Sequence, residues 1–548
     1  MVSSNVQTAF DFLKSASSQK RVTEQKRAVE LLLEKHAPSS SDLPWANSSP
    51  NDPLFQNLQK LLSDSSMLFI LNPVQQEVYH ADSGTAFVPG ALKKLLLTLK
   101  SRFVVRPGNL DDLQKFVRFA FEKKIRYSIR GAGTWPFGGA IPMNDEIILD
   151  LSYLDFYQLD AHRRTLTVGA GVIFADMRKH LRDRGFALKQ DITNPNSGTI
   201  CGWVVTGGYG IGAYKYGHVR QTVKALLLLQ PDGEWKTVTP EDPLFEKVFG
   251  SEGQIGILAG VVLNVLPLSY VSKLYAFSFE EAESIEKFVD LLNEWNLTPA
   301  SMIYFDPYYL KTTHEIEQEK LNRELQEAVE SADPLRIARN RQDLDTIKHY
   351  QGLQHVLVLE FDSKKDYHFS YRRTTTEIAH KLWEHRYQPV EMKPKGPSML
   401  VSETILPLSK LAEYSQFVQS SVSAWTGNPV KTEGHILNAK EILVQTIILA
   451  DIQTVRHKLY LGLVPFITQT ALFFGGRPYG IGIWNLPFMK GMLQNGHAEP
   501  LKALQQIKRE TDPDNLLNQC KYINPAGRKF TLRLYKGVTP LFMEKGVQ

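Results

Sequence analysis

Four glycine-dense loops, each following a strand-like run, fall within about 130 residues and constrain this chain more than any other feature. They are Arg130-Gly131-Ala132-Gly133-Thr134, Ser197-Gly198-Thr199-Ile200-Cys201-Gly202, Gly207-Gly208-Tyr209-Gly210-Ile211-Gly212 and Gly250-Ser251-Glu252-Gly253-Gln254-Ile255-Gly256-Ile257. Glycine has no Cβ and tolerates positive φ, so such loops let several backbone N–H groups converge closely on an anion. Any one of them alone also reads as a tight turn between strands. A set of four is what an extended nucleotide with a diphosphate would need.

The chain around them has the texture of an enzyme-sized globular protein. Its 548 residues are 43% hydrophobic and 22% charged, and 63 Lys+Arg against 58 Asp+Glu leave a net charge of only +5. No basic arm stands out, so nucleic acid is not expected as a partner. Cys201 and Cys520 are the only cysteines, too few for an iron–sulfur cluster and too far apart for a zinc site, so any redox chemistry calls for an organic cofactor. No secretory signal is read at the N-terminus, and the longest apolar stretch, Leu459 to Phe474, is shorter than a bilayer span. A cytoplasmic protein is expected, in a homo-oligomer.

Residues 1 to 36 read as helical, with Ala28, Leu31, Leu32 and Leu33 on an apolar face, followed by a Ser/Pro-rich break. From about residue 98, strands and helices alternate. FVVRP precedes a helix over Asn109 to Lys124, with Leu113, Phe116, Val117 and Ala120 on one face and Asn109 and Asp112 at its start. IRYSIR, IILDL and TLTVGAG are further strands, and Phe174 to Arg184 a further helix; KALLLLQPDGEW turns at Pro231-Asp232-Gly233. A second block begins near Tyr270. It holds the strands KLYAFSF, HVLVLEFD, MLVSETILP and EILVQTIILA, the helical stripe Ile285, Phe288, Val289, Leu292, and a charged segment from Thr313 to Lys348. A helix near Leu501 to Arg509 and DPDNLLNQCKYINP close it.

Common alternatives fail by inspection. There is no G-x-x-x-x-G-K-S/T, G-x-S-x-G or H-E-x-x-H, and GAGTWPFGG places Pro136 where a third Rossmann glycine would stand. Taken in order, VVRPGNLDDLQKFVRFA, IRGAGT, ILDLSYLD, GTICGWVVTGGYG, YKYGHVRQTV, GSEGQIGILAGVVLNVLP and DPDNLLNQCK resemble the flavoproteins of the vanillyl-alcohol oxidase / p-cresol methylhydroxylase family. The likeness is to the branch with glycolate and D-lactate dehydrogenases and alkylglycerone-phosphate synthase, and covers about residues 98 to 268 and 511 to 523.

The resemblance implies an α+β protein: an N-terminal extension (1–95), an FAD-binding domain of two α+β subdomains (96–268), a ferredoxin-like substrate or cap domain (269–505), and a C-terminal segment (506–548) returning to the flavin. Carried over by residue, Arg130, Gly131, Ala132, Gly133 and Thr134 would cradle the pyrophosphate, facing Thr199, Cys201 and Gly202. Gly207, Gly208, Gly210 and Gly217 would line the cofactor, Gly253 and Ile257 would lie near the adenosine half, and Asn518 would approach the ring. The flavin is expected to be non-covalent, since Thr134 stands where some members carry a linking histidine. His218 is expected to pack on the cofactor loop.

The substrate half departs from the hydroxy-acid branch. Glu433-Gly434-His435-Ile436-Leu437-Asn438 resembles the start of GHxGDGNxH, but only His435 remains of its two metal histidines. Pro478-Tyr479-Gly480-Ile481-Gly482 replaces EHGIG. No metal is expected, because a lone imidazole is a poor divalent site. Arg386 stands at the position of an anion-binding arginine, or is a solvated helix charge. Arg477 and Tyr479 resemble the anion-binding and phenolate residues of the aromatic-alcohol branch, although Tyr479 reads equally as a buried aromatic. His435 is a proton acceptor or a core histidine. The expected activity is hydride transfer from a small alcohol or 2-hydroxy acid to flavin N5. The alternatives are a non-redox transferase like alkylglycerone-phosphate synthase, or a flavin-binding electron-transfer subunit. The electron acceptor is left open, with a partner protein among the candidates.

Overall fold

Residues 101 to 150 build a sheet because their apolar positions run continuously through short segments, as strands buried on both faces require. In the computed structural model, the strands β1 (Met67–Phe69), β2 (Ser101–Arg106), β3 (Tyr127–Arg130) and β4 (Glu146–Asp150) form a four-stranded sheet in the order β1-β2-β4-β3. β4 pairs in parallel with both β2 and β3, while β1 joins antiparallel. The structure describes residues 4–16, 51–88, 101–268, 272–350, 352–369, 374–386, 398–451, 460–489 and 498–524, with a few isolated positions between. The apolar face expected at Ala28 to Leu33 lies outside the described residues.

The second sheet holds β5 (Tyr157–Asp160), β6 (Thr165–Gly169), β7 (Phe186–Leu188), β8 (Val223–Leu229), β9 (Trp235–Val238) and β10 (Ile257–Pro267) in the order β5-β6-β10-β8-β9, with β7 added to β10. One hydrophobic core joins the two sheets. Helix α1 (Ser4–Ser15) inserts Val6, Phe10 and Leu13 into it, so these N-terminal residues pack with the first two sheets. Helix α2 (Leu110–Glu122) buries Leu113, Phe116, Val117 and Ala120 as its periodicity predicts. Asn109 caps it by accepting from Asp112 N at 2.8 Å, whereas the Asp112 carboxylate turns to the Ser66 hydroxyl at 2.6 Å.

The third sheet is antiparallel and seven-stranded: β11 (Ser272–Phe279), β12 (Ser301–Phe305), β13 (His355–Asp362), β14 (Ser398–Pro407), β15 (Lys431–Asn438), β16 (Glu441–Ala450) and β17 (Arg477–Pro478), ordered β11-β13-β12-β15-β16-β14-β17. The charged segment resolves into two helices, α3 (Pro307–Glu330) and α4 (Pro334–Lys348), each with Pro at its start and an aspartate cap, Asp306 and Asp333. With α5 (Thr376–His385) they cover one face of the sheet over β11 to β13. The opposite face is closed by α6 (Glu283–Glu294), α7 (Leu411–Thr426) and α8 (Leu463–Phe473). No helix among the described residues is long and apolar enough to cross a membrane.

The chain then returns to the first sheet. Tyr127 N donates to Leu516 O and Asn518 N to Tyr127 O, each at 2.9 Å. A buried Lys508–Asp512 pair at 2.6 Å stiffens the turn, because Asp512 also accepts from Leu516 N and Leu517 N.

Candidate functional site

A cavity of about 980 Å³ runs from the glycine loops of the first two sheets to the face of β14, β15 and β16 left uncovered by the helices. Its first wall is backbone. Gly131, Ala132, Gly133 and Thr134 line it, opposite Asn194 to Thr199, Cys201 and Gly202. A Cβ on Gly131 would lie 2.9 Å from Thr199 Oγ1, and Gly133 has φ +66°, so neither position suits a larger residue. Thr134 Oγ1 accepts from Asn194 Nδ2 at 3.0 Å, tying the two loops together. Thr199 Oγ1 accepts from Gly202 N at 3.3 Å and caps the short helix Ile200–Val205.

Gly210, Gly253 and Asn518 also line the cavity. Asn518 accepts from Ile129 N at 2.9 Å and donates to Gly253 O at 3.1 Å, so it fixes the distance between a strand end and the last glycine loop. Cys201 is buried at the cavity wall, where desolvation holds its thiol well above the usual value.

Other expected cofactor residues sit elsewhere. The Arg130 guanidinium does not enter the cradle: it donates to the carbonyls of Ala81 at 2.9 Å and Val78 at 3.1 Å, behind the loop, because buried carbonyls there need a donor. Gly207, Gly208, Gly217 and Ile257 are not among the cavity-lining residues. Ile257 is a buried β10 residue paired with Leu229, and Gly207 packs against Gly250 and His218. His218 donates from Nε2 to Gly207 O at 2.9 Å while its Nδ1 accepts from Arg220 N at 3.2 Å; burial pushes its pKa down to about 4, so it is a neutral brace of the glycine loop.

The second wall comes from the third sheet. Antiparallel register sets Glu433 of β15 opposite Gln445 of β16, and Gln445 opposite Glu403 of β14, so the three side chains form one row on one face, and of these Glu403 and Gln445 line the cavity. His435, two residues along β15, shares that face. Gln445 Nε2 donates to Glu403 Oε1 at 2.8 Å. Burial, with the Glu433 charge beside it, pushes Glu403 up to about 7, although the Gln445 amide pulls the other way. His435 Nε2 is 3.3 Å from Glu433 Oε1 without forming a hydrogen bond, and both His435 Nε2 and Glu433 Oε2 are buried without a partner.

Tyr479 lines the cavity, but its hydroxyl accepts from Tyr209 N at 2.9 Å, and burial drives its pKa far up, so it is held as a neutral phenol. The two expected arginines are turned away. Arg477 pairs with Glu441 at 2.6 Å, and the Arg386 guanidinium lies 4.1 Å over the Trp383 ring and donates to Trp383 O. Neither lines the cavity. Each long cationic side chain has found a nearer carboxylate, carbonyl or aromatic partner than the cavity offers.

The sequence reading missed Glu403, Gln445, Glu433 and Glu252. The signal for the first two is a short polar interruption, Ser402-Glu403-Thr404 and Gln445-Thr446, within the otherwise apolar runs of MLVSETILP and EILVQTIILA. Glu252, in the last glycine loop, accepts from Gly482 N at 3.0 Å and Ile481 N at 3.2 Å; burial raises it to about 7 against those two donors. It joins the glycine loops to the segment carrying Tyr479.

Residues 101–239 match the FAD binding domain family. The chain carries an FAD-binding domain. The fold superposes on p-cresol methylhydroxylase with a TM-score of 0.67 at 15% identity, covering 86% of this chain and 96% of that one. An alkyldihydroxyacetonephosphate synthase superposes with a TM-score of 0.63 at 15% identity over 86% of each chain. At these identities the likeness is one of fold. In sequence, a D-lactate dehydrogenase of Archaeoglobus fulgidus is 29% identical over 192 residues, which is 33% of this chain and 42% of that relative, less than half its length. A glycolate oxidase subunit of Bacillus subtilis is 22% identical over 444 residues, 78% of this chain and 90% of its own.

The residues present fit FAD. The glycine-walled end offers backbone at close range where a Cβ would intrude, and the volume is at the upper end of the roughly 300–1,000 Å³ typical of ligand pockets. Among the described residues, no three His, Cys, Asp or Glu side chains converge as a metal site.

Proposed function

We propose that this chain is an FAD-dependent oxidoreductase that oxidises a CH–OH group of a small substrate. The observation that carries the reading is the continuity of one cavity from the glycine cradle to the Glu403–Gln445–His435 surface. Bound FAD supplies the two-electron acceptor for the substrate C–H bond. The loops at Gly131 to Thr134 and Asn194 to Gly202 would hold the cofactor, with Gly210, Gly253 and Asn518 along its length.

The remaining task is the hydroxyl proton. Glu403, raised to about 7, and His435, with an unpartnered Nε2, face the space where the hydroxyl would lie, and both are the residue types that accept protons near neutral pH. Tyr479 is a positioning residue, because its hydroxyl holds the Tyr209 backbone. We further propose that the flavin is dissociable: the Cys201 thiol is kept protonated by burial, Tyr479 O is already engaged, and Thr134 offers no nucleophile comparable to histidine. The division at 95/96, 268/269 and 505/506 is likewise our reading of the chain. The names of the relatives, dehydrogenases or oxidases of lactate and glycolate, support CH–OH chemistry.

The test is an absorbance spectrum of the purified protein before and after acid precipitation, then anaerobic titration with alcohols and hydroxy acids. A yellow supernatant and loss of the visible flavin band on titration are expected. Flavin that is bound yet reduced by none of the panel would overturn the assignment.

A further inference from the structure

The substrate end of the cavity is built from acceptors. Glu403 and Glu433 stand in one cross-strand row, His435 shares their face, and Gln445 spends an amide hydrogen on Glu403. Glu433 is 1% exposed and its Oε2 has no partner; His435 is 6% exposed and its Nε2 has none. A buried polar atom without a partner is costly; His435 lines the cavity, and Glu433, which does not, stands behind it with Oε1 3.3 Å from His435 Nε2. No lysine or arginine is among the described residues that line the cavity. The described cations nearby are held elsewhere: Arg477 by Glu441, Arg130 by the carbonyls of Ala81 and Val78, and Lys521 by the carbonyls of Gly138 and Ile141.

From this arrangement we infer that the substrate is an alcohol whose remaining polar substituent is neutral or cationic rather than a carboxylate. The inference rests on the reading of the cavity as an alcohol-oxidising site. A hydroxyl or ammonium supplies a donor to Glu403 or His435, whereas a substrate carboxylate would enter beside Glu403, with Glu433 behind it and no described lysine or arginine lining the cavity to offset it. The substrate body meets Met399, Val401, Leu443, Val464 and Pro465, an apolar surface. The chemistry balances as for any such oxidation. Bound FAD would take up the electron pair of the C–H bond, the O–H proton would pass to Glu403 or His435, and a carbonyl would remain.

Isosteric alcohols that differ in charge test this on the flavin-loaded protein: mandelate against mandelamide and phenylethanolamine, and lactate against lactamide. Binding is read anaerobically by calorimetry, separately from flavin reduction. The amide and the amine are expected to bind at least about tenfold more tightly than the matched acid, and E403Q with E433Q to shrink that gap. Acids binding as tightly as their amides, or no compound binding, would overturn the inference. If the affinity order holds but none reduces the flavin, the charge inference stands and the alcohol-oxidising reading falls. If an acid reduces the flavin best, the reverse is true.

Discussion

Glu403 is where side-chain chemistry is most exposed to test. Its carboxyl is raised to about 7 by burial and by the Glu433 charge, so it shifts to the proton-accepting form as pH passes through that value. Glu403→Gln keeps the shape and the Gln445 contact but removes that base. The rate of flavin reduction at saturating substrate is expected to fall by about 10²–10⁴ and to lose its pH limb near 7, measured by anaerobic stopped flow. An unchanged pH limb would assign the proton to His435. At the cofactor end, Gly131→Ala places a methyl 2.9 Å from Thr199 Oγ1 without demanding positive φ. FAD affinity should weaken by about tenfold or more, while apoprotein stability falls by no more than the roughly 1 kcal/mol of the Thr199 helix cap, read by flavin titration and urea unfolding. Residues of these two kinds were unequally legible. A glycine advertises itself in sequence because what it permits is a property of its own backbone. A glutamate in a strand does not reveal whether it meets water, an arginine or another glutamate.

At the scale of elements, the periodicities that predicted Leu110–Glu122 and Glu283–Glu294 and the strands β11, β13, β14 and β16 matched the structure because each element buries the face its own pattern marks, whereas β12, β15 and β17 were not read as strands. The segment from Thr313 to Lys348 showed only charge, since its two helices pack through few residues and expose the rest. The C-terminal return is an element whose role depends on one side chain. Asn518→Ala would remove the bonds to Ile129 N and Gly253 O, each worth about 1 kcal/mol, and free the last glycine loop. The expected outcome is a destabilisation of roughly 1–3 kcal/mol in urea unfolding, accompanied by loss of bound flavin. Flavin retained at full occupancy would show that the loop is held without it.

For the whole molecule, buried acids set the response to pH. Burial raises Glu146, Glu252, Asp306 and Glu403 each to about 7. A carboxyl whose pKa rises on folding binds its proton more tightly in the native state, so the stability it contributes is full below its ordinary value and is lost as pH rises through 7. The apoprotein should therefore melt at a lower temperature at pH 8 than at pH 6; an equal or higher Tm at pH 8 would mean that these acids are ionised throughout. The sequence by itself determined the class of cofactor and marked the glycine loops proposed to cradle it, because glycine loops, strand patterns and the returning Asn518 segment act through local backbone geometry. Only the tertiary structure decided which polar side chains stand at the cavity end formed by the third sheet. Glu403, Glu433 and Gln445 lie on three strands brought into one row by antiparallel register, and Arg130, Arg386 and Arg477 are long enough to choose among partners that only the folded chain supplies.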